Sequence, residues 1–322
     1  MIGVDRFTVI RSVIAIALLA AVVVFADLPH TTKFMHELHK AGHPVVFGAI
    51  ALLLLSLLGS PTNGKREYRW RHYCSAFGIA IVIGATTEIA QQFTHRDSSI
   101  VDVLSDATGA AACLALHAAW FGTTSVEREG KVRIACWTIG LLATLTAAAP
   151  MTWCLVAYAR RDVQFPVVAQ YRSTPDTYFI SAEAGNTSTA LLPAKWASAN
   201  DEKAFRIATS NGPYPGISVT EPYPRWRGFK SLMLDITNPG KSPLALVVRV
   251  HDRKHNNAYD DRFNRDVTID AETRVTLAIP IGEIARLPAN RLLDLDTVAG
   301  LIIFAAKPVP QGEFFVSRVW LQ

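Results

Sequence analysis

Acidic, basic and carboxamide side chains lie inside or beside strongly apolar runs in the first third of this chain. Removing a charge from water costs several kcal/mol, so such groups persist where they pair, meet water or bind something. Amides, imidazoles and cations together suit a polar or anionic headgroup, whereas carboxylates and histidine can also act as general acids and bases. The candidate ligand-binding residues are Lys40, His43, Glu88, Gln91, Gln92, Arg96, Asp102 and Asp106, and the catalytic candidates among them are His43, Glu88, Asp102 and Asp106.

The spacing of these residues predicts two polar stripes on neighbouring helices. Glu88, Gln92 and Arg96 are four residues apart, as are Asp102 and Asp106, so each set falls on one helical face. A short loop between the two helices makes them antiparallel neighbours. We therefore expect Glu88 and Asp106 to lie at matching depth near one end of a bundle.

The elements that must position these residues are five apolar runs, each near the roughly 20 residues needed to cross a bilayer. They cover residues 7–26, 41–59, 73–93, 100–121 and 134–158, which predicts five transmembrane helices. Pro44 should then lie in the first turn of the second helix. The first run is alternatively a cleaved signal peptide, although its apolar core is longer than the typical 7 to 15 or so residues.

Lys and Arg concentrate in alternate loops, which predicts the orientation of the helices. Positive loops stay in the cytoplasm. We therefore expect a protein of the plasma (inner) membrane whose amino terminus is cytoplasmic and whose chain after Arg161 lies outside the cell membrane. The cations in question are Arg6, Arg11, Lys65, Arg66, Arg69, Arg71, Arg128, Lys131 and Arg133. The net charge of +5 therefore indicates topology and not nucleic-acid binding.

After residue 158 the pattern changes to short segments of alternating apolar and polar residues separated by Pro, Gly and Asn, which is typical of an all-β sandwich. The fold class predicted is a polytopic transmembrane helical bundle followed by an all-β jelly roll. The predicted domains are 1–160, transmembrane, and 174–322, exported, with a linker at 161–173. The predicted strands are 205–208, 216–220, 232–236, 244–250, 267–270, 274–279, 299–305 and 314–321.

Metal binding has little support in the sequence. The four cysteines lie in the apolar runs, so neither a disulfide framework nor a thiolate site is indicated. Zinc binding by His36, His39 and His43 would need three or four converging ligands, and only their spacing favours it. Solvated interfacial histidines are the preferred interpretation, and we predict no metal and no cofactor.

The sequence Lys40-Ala41-Gly42-His43, followed in order by Glu88, Gln91, Arg96, Asp102 and Gly109, resembles the VanZ-like membrane family. That family typically shows Lys-x-x-His before its second span, then Glu-x-x-Gln, an Arg, and Asp-x-x-x-Asn-x-x-Gly. Asp106 stands where the family pattern has Asn, which adds a carboxylate. The resemblance covers roughly residues 7–120 and implies a cell-envelope protein similar to the glycopeptide-tolerance protein that names the family.

The exported half resembles carbohydrate-binding modules with a galactose-binding-type jelly roll. The matching segments are 226–229, 232–235, 250–252, 255–264 and 319–321. The resemblance implies a glycan site in which aromatic rings and hydrogen-bonding side chains meet a sugar. The candidate glycan-binding residues are Trp226, His251, Tyr259 and Arg262. A competing interpretation makes Trp226 and Phe263 core residues and Asp261 with Arg262 a structural ion pair.

Two functional hypotheses follow. In the first, the bundle binds a headgroup at its outer mouth, with Arg96 and Lys40 holding an anion, while the sandwich recognises a polysaccharide or other envelope glycan. In the second, the protein is an integral-membrane hydrolase or transferase acting on a lipid-linked saccharide or phosphate, with Glu88 as general base and Asp106 or His43 as acid. The expected partners are the lipid bilayer and a lipid-linked or envelope glycan.

Overall fold

The computed structural model describes residues 6–25, 31–62, 65–94, 99–121, 126–183, 187–209, 213–286, 288, 291–306 and 312–322. The chain divides into two compact units, Met1–Cys154 and Leu155–Gln322. The first unit is mainly helical, and the second is mainly antiparallel β-structure. The predicted fold class, a helical bundle followed by a β-sandwich, is confirmed.

The first unit is built from long helices. In the described residues these are α1 (Arg6–Phe25), α2 (Lys33–Leu58), α3 (Trp70–Gln91), α4 (Ile100–Phe121) and α5 (Val126–Gln164), with a hairpin of β1 (Ser60–Thr62) and β2 (Lys65–Glu67) between α2 and α3. All five helices are long and apolar enough to cross a membrane. Helix α5 continues past Cys154, so its last turns belong to the second unit.

Helix α2 begins earlier than the apolar run indicates. Thr32 caps it, because its side-chain oxygen accepts a hydrogen bond from the Met35 N–H at 3.2 Å. Pro44 is therefore inside the helix, and the expectation that it lies in the first turn is wrong. The residues from His36 to Lys40 form turns of α2 and do not precede it.

Small residues allow α2 and α4 to approach closely. A Cβ atom added to Gly109 of α4 would lie 2.0 Å from the Pro44 carbonyl oxygen, and one added to Gly48 of α2 would lie 2.5 Å from Cys113 Sγ. Helix α1 is held by a different contact, in which Gln91 Nε2 donates to the Val23 carbonyl at 3.0 Å.

The second unit contains two antiparallel sheets. The strands are β3 (Val167–Gln170), β4 (Ile180–Glu183), β5 (Thr187–Leu191), β6 (Lys203–Ala208), β7 (Gly216–Thr220), β8 (Ser231–Asn238), β9 (Leu244–Asp252), β10 (Phe263–Ile269), β11 (Thr273–Pro280), β12 (Val298–Ala305) and β13 (Glu313–Leu321), with a short helix α6 (Ile281–Arg286). One sheet has the order β10-β9-β12-β7-β4, and the other has the order β11-β8-β13-β6-β5, with β3 also paired to β13. All eight predicted strands are present.

The two-residue period of the strands creates the core. On β9, Leu246, Val248 and Val250 are buried against the opposite sheet, while Val247 and Arg249 alternate with them on the outer face. The segment 161–173, predicted to be a linker, is folded for much of its length. It contains the end of α5 and β3, whose residue Ala169 pairs with Val319 of β13.

Candidate functional site

Four titratable side chains of the helical unit lie together. They are His43 on α2, Glu88 on α3, and Asp102 and Asp106 on α4. His43 Nδ1 is 3.0 Å from Asp106 Oδ1, and both side chains are almost completely buried, with 6% and 1% of their surface exposed. Gly84 of α3 leaves room for this carboxylate, since a Cβ there would lie 3.0 Å from Asp106 Oδ2. The three helices thus enclose a polar centre.

Glu88 connects this centre to the start of α4. Its Oε2 accepts a hydrogen bond from the Ser99 backbone N–H at 2.9 Å, and Asp102 lies in the first turn of α4. Carboxylates are favourable at a helix N-terminus, where backbone N–H groups carry partial positive charge. Glu88 is buried, with only 5% of its surface exposed, and its Oε1 has no hydrogen-bond partner among the described residues.

The arrangement can hold a cation. One ligand atom from each of His43, Glu88 and Asp102 lies within 4.8 Å of the other two. Across the described part of the chain, the one ion pair that involves Glu88, Asp102 or Asp106 is the contact of Asp106 with His43. Three carboxylates therefore share a largely buried centre with a single imidazole.

The other predicted ligands of the bundle are not among these four residues. Gln91 is 2% exposed, but its amide is engaged with Val23 and has a structural role. Lys40 and Gln92 are exposed. Arg96 lies outside the described residues.

A cleft of about 400 Å³ lies on the outer face of the β10-β9-β12-β7-β4 sheet. Tyr259 and Tyr214 border it and are 71% and 57% exposed. Between them are cations and an amide, because Arg249 Nε donates to Asn264 Oδ1 at 3.2 Å and Arg262 lies 5.4 Å from the Tyr259 ring centroid. The complete set of described lining residues is Tyr214, Val247, Arg249, Tyr259, Arg262, Asn264, Ile302, Phe304 and Ala306.

The guanidinium groups of Arg249 and Arg262 border the cleft. Arg262 Nε is buried and has no hydrogen-bond partner among the described residues. The Arg249 guanidinium lies 5.0 Å from the centroid of Phe304, which is one of the aromatic rings of the cleft floor. The cleft therefore combines ring faces with cationic and amide donors, the chemistry that saccharide recognition uses.

The four predicted glycan residues have different environments. Tyr259 and Arg262 line the cleft. Trp226 has none of its surface exposed and donates its Nε1–H to the Tyr223 carbonyl at 2.8 Å, so it is a core residue and is unable to stack on a sugar. His251 is half-buried beside Gly300, and burial, together with the positive neighbours His255 and Arg249, lowers its pKa to about 4.

Asp261 does pin a loop, as the competing interpretation proposed, but its partner is Arg291 instead of Arg262. Arg291 Nε donates to Asp261, and Arg291 Nη2 donates to Asp252 Oδ1 at 2.8 Å. Burial would raise the pKa of Asp252, but the hydrogen bonds from Arg291 and from the Asp294 N–H hold it below its usual range. Hydrogen bonds from Arg291 and the Asn256 N–H lower the pKa of Asp261 to about 2.

Sequence reasoning missed Tyr214, Arg249 and Asn264 as parts of the cleft. Arg249 carried a usable signal, because it is a charged residue at an outward position within the apolar run of β9 from residue 244 to 250. Asn264 follows from the register, in which it pairs directly with Arg249 across β9 and β10. Tyr214 had no local signal, since it lies in a loop that reaches the cleft only after the sheet has formed.

Comparison with known proteins finds solved structures similar to the sandwich. A family 11 carbohydrate-binding module from Clostridium thermocellum, in complex with a β-1,3-1,4-mixed-linked tetrasaccharide, has 18% identity and a TM-score of 0.37, covering 48% of this chain and 93% of the module. An exo-β-agarase has 17% identity and a TM-score of 0.35, covering 45% of this chain and 23% of the agarase. A carbohydrate-binding module specific for non-crystalline cellulose has 14% identity and a TM-score of 0.30, covering 39% of this chain and 78% of the module. No protein-family model matches the sequence, and no curated protein matches it.

Proposed function

We propose that this chain is a membrane-anchored glycan-binding protein, in which the helices hold the sandwich at a membrane and the cleft on β9, β10 and β12 binds a polysaccharide. The observation that carries the proposal is the cleft itself, which places two exposed tyrosines around Arg249, Arg262 and Asn264. Aromatic faces pack on the C–H surface of a sugar ring, while the guanidinium and amide groups donate to its hydroxyls.

The charge of the cleft favours an acidic glycan. Its described lining contains Arg249 and Arg262 and no carboxylate. A guanidinium can hold a carboxylate, sulfate or phosphate through two parallel hydrogen bonds. Arg262 lines the cleft beside Tyr259, so its guanidinium is placed for such a contact.

The test is a binding screen of the full-length protein in detergent against neutral and acidic envelope and exported polysaccharides. We expect an acidic polysaccharide to bind, and Tyr259→Ala to weaken its binding about fivefold, because a stacked ring contributes roughly 1 kcal/mol. Arg262→Gln should weaken it at least as much. Leu292→Ala and Arg253→Gln, which alter exposed residues outside the cleft, serve as matched controls. If no polysaccharide binds, or if the cleft variants bind like the controls, the proposal is wrong.

We also propose that the helical unit is VanZ-like, with its amino terminus in the cytoplasm and the sandwich outside. What supports this is that His43, Glu88 and Asp102, which carry the resemblance, come from three different helices and lie within 4.8 Å of one another. A reporter enzyme that is active only outside the membrane, fused after Gln322, should be active. A fluorescent protein that folds only in the cytoplasm should be dark at the same position. The reverse pattern would contradict the orientation.

The described cluster of the bundle does not by itself form a binding site for an anionic headgroup. The described cluster contains carboxylates, and Lys40 is exposed. The enzyme alternative keeps its own test, since Glu88→Gln should abolish turnover of a lipid-linked saccharide if Glu88 is a general base. Unchanged turnover in that variant would reject the role.

A further inference from the structure

Among the residues that the structure describes, the acidic centre of the helical unit has more carboxylates than basic side chains. Glu88, Asp102 and Asp106 meet one histidine, and Glu88 and Asp106 are 5% and 1% exposed. Burying carboxylates without a compensating charge is costly, and proteins resolve this by neutralising them, pairing them or coordinating a metal. A cation at this centre would remove the imbalance.

The geometry points to a divalent metal site formed by His43, Glu88 and Asp102, and we propose that it binds Zn²⁺. One potential ligand atom from each residue lies within 4.8 Å of the other two, which is close enough for the three to surround one ion. The Oε1 atom of Glu88, a residue that is 95% buried, has no hydrogen-bond partner in the described structure and is available for coordination.

Asp106 accepts the second hydrogen bond that a metal-binding histidine usually makes. A ligating imidazole usually donates its second ring N–H to a carboxylate, which fixes its tautomer and raises its basicity. His43 Nδ1 lies 3.0 Å from Asp106 Oδ1, so a proton on Nδ1 leaves Nε2 free of hydrogen for an ion. Gly84 maintains the space that this carboxylate occupies.

The donor set selects the class of metal. Imidazole favours Zn²⁺ and similar transition metals over Mg²⁺ and Ca²⁺, and the absence of a thiolate from the set disfavours Cu⁺. Three protein ligands leave an open coordination position on Zn²⁺, as in catalytic zinc sites. An oxygen of an anionic ligand could occupy that position, which would reconcile an acidic cluster with a phosphate or carboxylate headgroup.

The metal site does not depend on the glycan proposal, because it lies in the other unit and is measured with the metal alone. The full-length protein is stripped with a chelator in detergent, exposed to Zn²⁺, desalted and analysed for bound metal. We expect about one Zn²⁺ per chain, as for a single three-ligand site. Titration with Co²⁺ should produce visible absorption bands without a thiolate charge-transfer band.

Matched variants assign the ligands. Glu88→Gln and Asp102→Asn should each weaken Zn²⁺ binding by more than about 100-fold, and Asp106→Asn by about 10- to 100-fold, since loss of an outer partner has an effect of that size. Glu67→Gln, the same chemical change at an exposed position, should bind like the unmodified protein. Size-exclusion chromatography checks that each variant is folded, and Asp106→Asn, which can still accept the hydrogen bond from His43, remains informative if another variant aggregates.

Several outcomes would overturn the site. These are failure of the unmodified protein to retain Zn²⁺, retention by Glu88→Gln and Asp102→Asn equal to that of Glu67→Gln, and preferential binding of Mg²⁺ or Ca²⁺. Loss of Zn²⁺ in His36→Gln and His39→Gln, with retention in the carboxylate variants, would place the ion on the histidines of α2 instead.

Discussion

Buried carboxylates are treated differently in the two units of this protein. In the sandwich, the Asp252 side chain has no exposed surface, and Arg291 binds it, while Arg274 bridges Asp235 and Glu202. In the helical unit the described cluster has a single imidazole for its three carboxylates. Charges that the chain compensates by itself hold loops and strands together, whereas the uncompensated carboxylates of the helical unit are where we propose that a cation binds.

The arginines of the sandwich show the same contrast. Arg274 donates to Asp235 and Glu202 and, with these hydrogen bonds as the main cause, its pKa is raised. Arg262 in the cleft has an Nε without a described partner. A guanidinium whose donors are all used by carboxylates is part of the scaffold, whereas the Arg262 guanidinium lines a cleft and is a candidate for ligand contact.

The largest effect is expected from Arg291→Met in the sandwich. The change leaves the Asp252 carboxylate buried without its cation, which should lower the free energy of unfolding of this unit by about 3–5 kcal/mol. Hydrogen exchange of the β9 amides in the full-length protein measures this value. Arg253→Met, at an exposed position, should change it by less than about 0.5 kcal/mol. Equal protection in the two variants would show that the Arg291 network does not stabilise the sandwich.

An intermediate effect, which differs between the two units, is expected when a buried aspartate becomes asparagine. Asp252→Asn should destabilise the sandwich by about 1–3 kcal/mol, because Arg291 loses a charged acceptor. Asp106→Asn should leave the metal-free helical unit as stable or raise its Tm by about 2–4 °C, which corresponds to about 1 kcal/mol of relieved repulsion. Thermal unfolding and hydrogen exchange follow each unit separately. A clear loss of stability in metal-free Asp106→Asn would contradict the idea that this centre is overcharged.

The smallest effect is expected at acid pH. Asp261 has a pKa of about 2 in the folded protein against an ordinary value of 3.8, because Arg291 and the Asn256 N–H stabilise its charged form. Its contribution to stability is therefore fully present above the ordinary pKa and is lost as the pH falls from 3.8 towards 2. Asp261→Asn should show a shallower loss of β10 amide protection over this interval. An identical pH profile in the variant would exclude a stabilising role for this charge.

Local patterns predicted the scaffold well and the sites less well. Alternation identified β9 and its neighbours, and apolar length identified the five helices, because both signals are contained within a single element. The start of α2 depended on the Thr32 cap, which lies outside the apolar run. The partner of Asp261 is 30 residues away along the chain at Arg291, so it emerges only from the folded loops.

In the helical cluster, too, some features follow from the pattern within one helix and others depend on how the helices pack. The four-residue spacing on α3 and α4 predicts that Glu88, Asp102 and Asp106 lie near one another. The direct contact of Asp106 with His43 depends instead on how closely α2 approaches α4, which is determined by packing between the backbones. Trp226 shows the converse problem, since an aromatic residue in a polar loop has the same sequence signature whether it faces the core or a sugar.

The contact between Gly109 and Pro44 has a consequence for the tolerance of this chain to mutation. Any larger side chain at position 109 would force α4 away from α2 and separate His43 from Asp106. Gly78 differs, because in the described structure a methyl group there would meet nothing within 4 Å. A survey of all substitutions should therefore find position 109 among the most restrictive in the helical unit and position 78 permissive, although neither glycine carries a reactive group.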